Sequence, residues 1–449
     1  MVRGRRTPSV RGRLLPLLLL LACTSPAPQD SFAPVPASVS DVGLTENGGD
    51  TPGESAIASV SPVSCGETIY VPQSGYVTDE PVVADAHSDV YGKAADPTEV
   101  HLGVPGDPSR SVTFLWRTDV DTLASQVQIG TDEVLGNVVD GSSFVYTADT
   151  YGRVHEVRVC GLTPGTTWHY RVGGTKGWSD VHPFTTAPTP GEPRPFRFGV
   201  AGDSRGAPSD WETIVAAMAD QGAEFRLFTG DAVASGSSIT QWEDWYDAGG
   251  STIAETMTWQ VNGNHEALTQ AWFSMVGQPN NEEWFSFDYA NVHFVALNDT
   301  VGASTDWETQ SEWLAADLAA TKQTWKVVFH HKAAYSGCRP NGEDTNVRTW
   351  FVPVEEAGGV QLDFAGHNHN YERSVPLYDG AEVAQTDGTT FIVTAGSGAP
   401  LYNNTKEWSY IATWVQSEHY MLVDVDGDTM TLTAIDLAGN VLDRFTLSP

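Results

Sequence analysis

Five short apolar segments in this chain are each followed by polar residues that can bind a metal ion. Open α/β sheets place their ligands at the carboxyl ends of their strands, so the pattern predicts one shared site in an α/β domain. The segments and their endings are 197–201 before Gly202-Asp203, 225–229 before Gly230-Asp231, 257–261 before Gly263-Asn264-His265-Glu266, 325–329 before His330-His331, and 360–365 before Gly366-His367-Asn368-His369.

The residue types in these endings indicate the chemistry. Carboxylates, an amide oxygen and imidazoles together suit borderline cations such as zinc, manganese or iron, and none of the endings contributes a thiolate. We expect the glycines before the ligands to let the backbone turn sharply out of each strand. Residues 209–212 have the pattern of a capping box, which predicts a helix running to about Asp220.

The part of the chain before these segments has a different pattern. From about residue 98 to residue 188, short alternating runs are broken by turn residues, and Trp168, Tyr170 and Val172 recur at period two. This predicts a β-sandwich over residues 95–190. The Pro- and Gly-rich residues 189–193 mark a boundary, after which we place the metal-binding domain at 191–449.

The N-terminus has the pattern of an export signal. Residues 1–22 contain five Arg and no acidic residue, and the apolar run 14–21 is too short to span a bilayer. Residues 20–23, Leu-Leu-Ala-Cys, resemble a bacterial lipoprotein cleavage box, which would make Cys23 the lipidated first residue of the mature chain. The alternative is an ordinary secretory signal with Cys23 incidental. We expect residues 23–94 to form a flexible linker after the lipid anchor.

Charge and cysteine content limit the partners and the compartment. The chain carries 24 basic and 57 acidic residues, a formal charge of -33, which argues against bulk nucleic-acid binding. Besides Cys23 there are Cys65, Cys160 and Cys338, so at most one internal disulfide can form in an oxidising compartment, and the sequence leaves the pair open.

The ordered set of endings resembles the calcineurin-like metallophosphoesterases. Residues 366–373, Gly-His-Asn-His-Asn-Tyr-Glu-Arg, and the fibronectin type III-like sandwich before them are similar to purple acid phosphatases, especially bacterial secreted relatives, over about residues 95–445. The resemblance implies two packed mixed sheets flanked by helices, around two ions of iron, zinc or manganese. It also implies a role for each site residue: Asp231 bridges the ions, Asp203 and His369 bind one, Asn264, His331 and His367 bind the other, and His265 is the proton donor. His331 is preferred to His330 because the family's ligand His has a Tyr four residues on, here Tyr335.

The chain departs from the family pattern at the first metal. Ala234 stands where purple acid phosphatases have the Tyr that gives their colour, and Arg205 stands where other superfamily members have a His ligand. The first site therefore looks one ligand short, and the protein should not be purple. Arg205 could contact the substrate phosphate, since a guanidinium pairs with it bidentately; pairing with a nearby carboxylate is the alternative.

These features predict a surface-anchored phosphomonoesterase in which a metal-bound hydroxide attacks a small-molecule or headgroup phosphoester. Two alternatives remain open: a phosphodiesterase with the same site, and a non-catalytic surface-binding protein whose metal site has decayed. The strand histidines His155, His169, His182 and His293 receive no functional role.

Overall fold

The computed structural model describes residues 62–65, 87–145, 152–279, 282–300, 307–404 and 408–449. The expected signal segment, Cys23 and most of the expected linker lie outside these ranges. None of the helices within them combines the length and the apolar composition needed to span a bilayer.

The N-terminal part of the described chain consists of two five-stranded sheets, which confirms the expected sandwich. One sheet has the order β1-β7-β3-β2 with β6 beside β7, and the other has the order β10-β8-β4-β5 with β9 beside β8. Trp168, Tyr170 and Val172 are buried between more exposed neighbours, as their spacing predicted. The strands are β1 (Val63–Ser64), β2 (Thr98–Gly103), β3 (Ser111–Thr118), β4 (Gln126–Gly130), β5 (Asn137–Asp140), β6 (Ser142–Val145), β7 (Arg153–Cys160), β8 (Thr167–Gly174), β9 (Gly177–Trp178) and β10 (His182–Thr185).

A disulfide attaches the segment before the sandwich to its sheet. Cys65 is bonded to Cys160, and β1 pairs antiparallel with β7 in the same place. Cys338 is a free, buried thiol. Residues 62–65, expected within a flexible linker, are therefore fixed to the sandwich both covalently and by backbone pairing.

The C-terminal part contains two mixed sheets with helices on their outer sides. The sheet orders are β13-β12-β11-β25-β26-β27 and β14-β15-β16-β18-β22-β19-β24, and two short pairs, β17-β23 and β20-β21, lie apart. The strands are β11 (Phe196–Ala201), β12 (Arg226–Phe228), β13 (Thr258–Gln260), β14 (Phe285–Tyr289), β15 (Val292–Ala296), β16 (Trp325–His330), β17 (Cys338–Arg339), β18 (Leu362–Ala365), β19 (Tyr371–Ser374), β20 (Leu377–Tyr378), β21 (Ala381–Glu382), β22 (Thr390–Thr394), β23 (Asn403–Asn404), β24 (Ile411–Val415), β25 (His419–Asp426), β26 (Thr429–Asp436) and β27 (Val441–Leu447). The helices are α1 (Pro208–Asp220), α2 (Ile239–Glu255), α3 (Gln270–Met275), α4 (Trp307–Ala320), α5 (Thr345–Trp350) and α6 (Val352–Gly358), with a 3-10 turn at Gln385–Asp387.

The two mixed sheets pack against each other through aromatic side chains. Phe198 on β11 meets Phe294 on β15 edge to face, with ring centroids 5.2 Å apart. Trp259 on β13 stacks on Phe287 on β14 at 3.6 Å. Strands β11, β12 and β13 run parallel to one another, as do β15, β16, β18 and β22, so each sheet presents several carboxyl ends at one edge. The predicted fold class is confirmed.

Helix α1 begins differently from the prediction. The residue before it is Ala207, no side chain caps it, and Pro208 occupies its first turn. Proline is preorganised for the first helical position because its φ is already helical, so the helix starts before the Ser209 that the capping-box pattern had marked as its cap. The predicted end at Asp220 is confirmed.

The sandwich contacts the metal-binding part through polar groups, of which Tyr170 and Arg117 are buried. The Tyr170 hydroxyl donates to the main-chain oxygen of Ala254 at the end of α2, at 2.6 Å. Arg117 on β3 pairs with Glu99 at 2.7 Å and with Glu243 of α2 at 2.9 Å. These contacts join α2 to the sandwich, so the two parts share an interior face.

Candidate metal centre

The six proposed metal ligands all follow strands of the two mixed sheets. Asp203, Asp231 and Asn264 come after the parallel strands β11, β12 and β13. His331 follows β16 directly, and the pair His367 and His369 follows β18. The carboxyl edges of both sheets therefore contribute side chains to one crevice, as the spacing of the endings predicted.

Two groups of ligand atoms form in this crevice, and they share one residue. Asp203, Asp231 and His369 form the first group; Asp231, His331 and His367 form the second, and the ligand atoms of each group lie within 4.8 Å of one another. The side-chain oxygen of Asn264 lies 3.1 Å from Nε2 of His331, beside the second group. The structure thus brings together all six residues proposed from the sequence, and Asp231 belongs to both groups.

The sharp turns out of the strands are made by the ligands themselves. Asp203, Asp231 and His367 have φ values of 60°, 57° and 65°, in the left-handed region. Among the preceding glycines, Gly230 also has a left-handed φ of 90°, as expected, whereas Gly366 allows close approach: a Cβ on Gly366 would lie 2.6 Å from Oδ2 of Asp203. The same holds at Gly263, where a Cβ would lie 2.2 Å from Oδ1 of Asp231.

Main-chain carbonyls orient two of the histidines. Nδ1 of His331 donates to the oxygen of Thr229 at 2.8 Å, and Nδ1 of His369 donates to the oxygen of Pro400 at 2.7 Å. Each Nε2 then faces a carboxylate, at 3.4 Å from Asp231 for His331 and at 3.3 Å from Asp203 for His369. Such an outer contact fixes the ring of a metal-ligating histidine and makes Nε2 the ligand atom.

The electrostatics of the site favour bound cations. Oδ1 of Asp203 and Oδ2 of Asp231 are buried and accept no hydrogen bond. Burial raises the pKa of Asp231, but the charge and hydrogen bond of His331, together with the backbone N–H and charge of His265, hold the pKa well below its usual range. Burial lowers the pKa of His331, but the charge and hydrogen bond of Asp231, together with the charges of Asp203 and Asp299, raise it to about 10. Buried carboxylate oxygens without a donor call for positive charge, so these residues fit a pair of metal ions.

Glu266 is a supporting residue to which the sequence reasoning gave no role. Its carboxylate is fully buried and accepts from the backbone N–H groups of Asp231, Val233 and Gly263 at 3.0, 3.2 and 2.7 Å. Burial, and next the charge of Asp231, raise its pKa to about 7. Glu266 thereby connects the loop after β12 to the loop after β13. Its place in the Gly-Asn-His-Glu motif is the sequence signal that could have identified it.

His265 faces the open side of the crevice. Its backbone N–H donates to Oδ1 of Asp231 at 2.9 Å, and its Nδ1 donates to the oxygen of Ala234 at 2.8 Å. Its Nε2 lies 3.8 Å from Oδ2 of Asp231, and the side chain is 29% exposed. This position beside the shared ligand suits a group that meets the substrate.

Arg205 lies against the ligands. Its Nε is 3.4 Å from Oδ2 of Asp231, and its Nη2 is 3.2 Å from Nε2 of His369. Pairing with a nearby carboxylate, the alternative weighed from the sequence, is therefore what the structure contains. These contacts use two nitrogens of the guanidinium, which also hydrogen-bonds the side chain of Tyr402.

His330 points away from the crevice, because consecutive strand residues face opposite sides of a sheet. Its Nδ1 contacts Asp299 at 3.0 Å and its Nε2 contacts Asp363 at 3.2 Å. With Glu355 these residues form a separate group of His and carboxylate side chains outside the crevice. All of its members are buried, and we call it the His330 cluster. In the crevice it is His331 that joins the proposed ligands.

Sequence comparisons assign this fold and site to a class. Residues 179–371 match the pattern of the family described as "Calcineurin-like phosphoesterase", and residues 97–186 match "Purple acid Phosphatase, N-terminal domain". The chain is 30% identical over 330 residues to Purple acid phosphatase 21 of Arabidopsis thaliana, covering 67% of this chain and 71% of that one. The chain belongs to the purple acid phosphatase family.

Solved structures and further relatives agree with this assignment. Purple acid phosphatase PPD1 from yellow lupin (Lupinus luteus) seeds superposes with a TM-score of 0.68 at 19% identity, covering 79% of this chain and 74% of that one. A second relative, the phosphoenolpyruvate phosphatase of Allium cepa, is 24% identical over 71% of both chains.

Membership of this family, together with the ligand groups, makes the protein a phosphatase that hydrolyses phosphoesters with a dinuclear metal centre. The two groups sharing Asp231 are the candidate ligands of that centre. The Cys65–Cys160 disulfide indicates export, because structural disulfides persist mainly in oxidising compartments.

Proposed function

We propose that the protein hydrolyses phosphate monoesters outside the cytoplasm, with Asp203, Asp231, Asn264, His331, His367 and His369 as its metal ligands. The main support for this proposal is the pair of ligand groups that share Asp231. Nε2 of His265 lies 3.8 Å from the carboxylate of that residue. Ions held there would polarise the ester and lower the pKa of water, the chemistry that two-metal sites supply.

The chain's own residues would bind and orient the ester and move one proton. His265 is the proton donor: Ala234 holds its Nδ1–H, so the proton that reaches the leaving-group oxygen is the one on Nε2. Arg205, which lies beside Asp231 and His369, would bind a phosphate oxygen through its guanidinium.

Two observations support a monoester. The Allium cepa relative is named for a phosphomonoester, phosphoenolpyruvate. A monoester dianion also carries one more negative charge than a diester, and Arg205 adds a fixed positive charge to that of the ions. A small-molecule or headgroup phosphate ester exposed to the crevice is the substrate class that follows.

The test compares p-nitrophenyl phosphate with bis(p-nitrophenyl) phosphate, with the Asp231→Asn variant as the matched inactive control. We expect kcat/KM for the monoester to exceed that for the diester at least about tenfold. The reverse order would assign the site to phosphodiesters. Absence of both activities, with less than one ion per chain after reconstitution, would indicate a binding protein with a decayed site.

The proposed location is the outer surface of a bacterial membrane, reached by export and lipidation of Cys23. Residues 1–22 would be the signal, 23–94 the anchor and linker, 95–190 the sandwich domain and 191–449 the catalytic domain. Within this linker, residues 63–65 are held to the sandwich by strand β1 and by the Cys65–Cys160 disulfide. We expect a Cys23→Ala variant to leave the membrane fraction; equal membrane retention by both proteins would argue against the lipid anchor.

A further inference from the structure

The first group of proposed ligands, Asp203, Asp231 and His369, has a positively charged neighbour. This neighbour is Arg205, which stands where other superfamily members have a His ligand. Nη2 of Arg205 lies 3.2 Å from Nε2 of His369, and Nε of Arg205 lies 3.4 Å from Oδ2 of Asp231. His369 donates its Nδ1–H to Pro400, so Nε2 is the nitrogen with the free lone pair. Arg205 therefore contacts the same two donor atoms that would coordinate an ion in this group.

The second group is completed in a different way. Asn264, a neutral donor, places its side-chain oxygen 3.1 Å from Nε2 of His331. An amide oxygen adds a ligand to a cation without adding positive charge. The two groups share Asp231. The second group has a neutral donor, Asn264, beside it, whereas the first group has the positively charged Arg205 beside it.

A guanidinium beside a metal site weakens it for two physical reasons. It remains protonated in proteins, so it repels a cation, and it has no lone pair with which to act as a ligand. The Arg205 side chain is only 19% exposed, so solvent screens this repulsion weakly. Its own backbone N–H donates to the oxygen of Asp231 at 3.2 Å, which attaches the residue to the ligand loop.

We propose that Arg205 makes the two metal sites unequal: the site of Asp231, Asn264, His331 and His367 binds its ion tightly, and the site of Asp203, Asp231 and His369 binds a weak, exchangeable ion. The Arg205 guanidinium supplies part of the positive charge that an ion in the first group would otherwise bring. This inference rests on the proposed assignment of these residues as metal ligands.

Calorimetric titration of the chelator-treated full-length protein with Zn²⁺, with ion content measured after dialysis, tests the proposal. We expect two binding events whose Kd values differ at least about tenfold, the size of effect that groups around a metal site have on affinity. Arg205→Met, which keeps the side-chain length but removes the charge, should tighten the weaker event about tenfold or more.

Two further variants assign the events. Asp203→Asn should remove the weaker event and keep the tighter one, because Asp203 belongs only to the first group. Arg197→Met is the matched control for loss of one positive charge: Arg197 pairs with Asp424 at 2.7 Å, and this variant should leave both Kd values unchanged.

Equal affinities in the wild type, an unchanged weaker event in Arg205→Met, or loss of the tighter event in Asp203→Asn would each overturn the proposal. If circular dichroism shows that Arg205→Met does not fold, the wild-type and Asp203→Asn titrations decide alone. Two unequal binding events without hydrolysis of either ester would contradict the proposed function and leave this inference standing; hydrolysis with two equal events would do the opposite.

Discussion

The metal centre and the His330 cluster are built from the same kinds of side chains, yet they differ in what surrounds them. The crevice around His331 collects carboxylate oxygens that accept no hydrogen bond, beside residues that are partly exposed. In the His330 cluster, both imidazole nitrogens are occupied by Asp299 and Asp363, and every member is fully enclosed. Carboxylate oxygens that accept no hydrogen bond occur in both places, at Asp299 and Glu355 as well as in the crevice, so access is what distinguishes the proposed catalytic site.

The strongest test of this contrast removes a crevice ligand. Asp231→Asn or His367→Ala should lower kcat at least about 1000-fold, because each deletes a ligand of the centre on which transition-state stabilisation depends. The thermal unfolding midpoint of Asp231→Asn should change little, since the substituted amide keeps an oxygen at the position that accepts from the backbone N–H of His265. Wild-type turnover in either variant would contradict the proposed site.

A smaller loss of activity is expected at the proton donor. His265→Gln should lower kcat about 100-fold for p-nitrophenyl phosphate, the usual contribution of general acid catalysis. Because His265 belongs to neither ligand group, the number of bound ions should stay at the wild-type value. Loss of an ion instead of turnover would make His265 a metal ligand.

His293 is another histidine that lies between carboxylates. It has no proposed role in catalysis, so it shows what such an arrangement contributes to the stability of the fold. His293 contacts Asp288 and Asp317, each at 2.7 Å. Burial lowers its pKa, but the hydrogen bonds and charges of both Asp residues outweigh this and raise it from 6.5 to about 9.

The pH dependence of a His293→Gln variant follows from the raised pKa. The stabilisation is fully present below pH 6.5 and is lost as the pH rises through about 9. The variant should be destabilised by at most about 3 kcal/mol at pH 6 and by much less at pH 9.5. Urea unfolding at both pH values, with kcat as the control, measures this; a pH-independent loss would mean that packing matters and the charge does not.

The smallest expected effect concerns Glu355 of the His330 cluster. Neither of its oxygens has a hydrogen-bond donor, and burial, followed by the charge of Asp363, raises its pKa well above 4.5. A raised carboxyl pKa means that the folded protein loses stability as the pH rises above 4.5.

Glu355→Gln should therefore match the wild type at pH 4 and be about 1–2 kcal/mol more stable at pH 8, with unchanged kcat. Denaturant unfolding at both pH values measures the difference. A variant that is less stable at pH 8 would show that the Glu355 charge is needed inside the cluster, and a loss of kcat would connect the cluster to the crevice.

Much of the site could be predicted because it depends on local patterns. Each proposed ligand lies within four residues of the end of an apolar strand, so the ligands and their order were visible along the chain. The choice of His331 over His330 came from Tyr335, four residues on, and the structure places His331 with the other proposed ligands.

What the sequence could not supply depends on contacts between distant residues. The partners of His330 lie 31 and 33 residues away, on another strand end and another strand. The disulfide partner of Cys65 is 95 residues away, so the choice among three cysteines was a question of topology. The contacts of Arg205 with Asp231 and His369 likewise require the folded crevice.

The left-handed backbone at Asp203, Asp231 and His367 has a consequence for how this protein can change over time. Each non-glycine residue in that conformation lowers stability by about 1 kcal/mol or more. Replacing any of the three by glycine would relieve the strain while deleting a ligand. At these three positions a mutation that stabilises the fold would therefore cost a proposed ligand, so selection for turnover would keep these side chains in place.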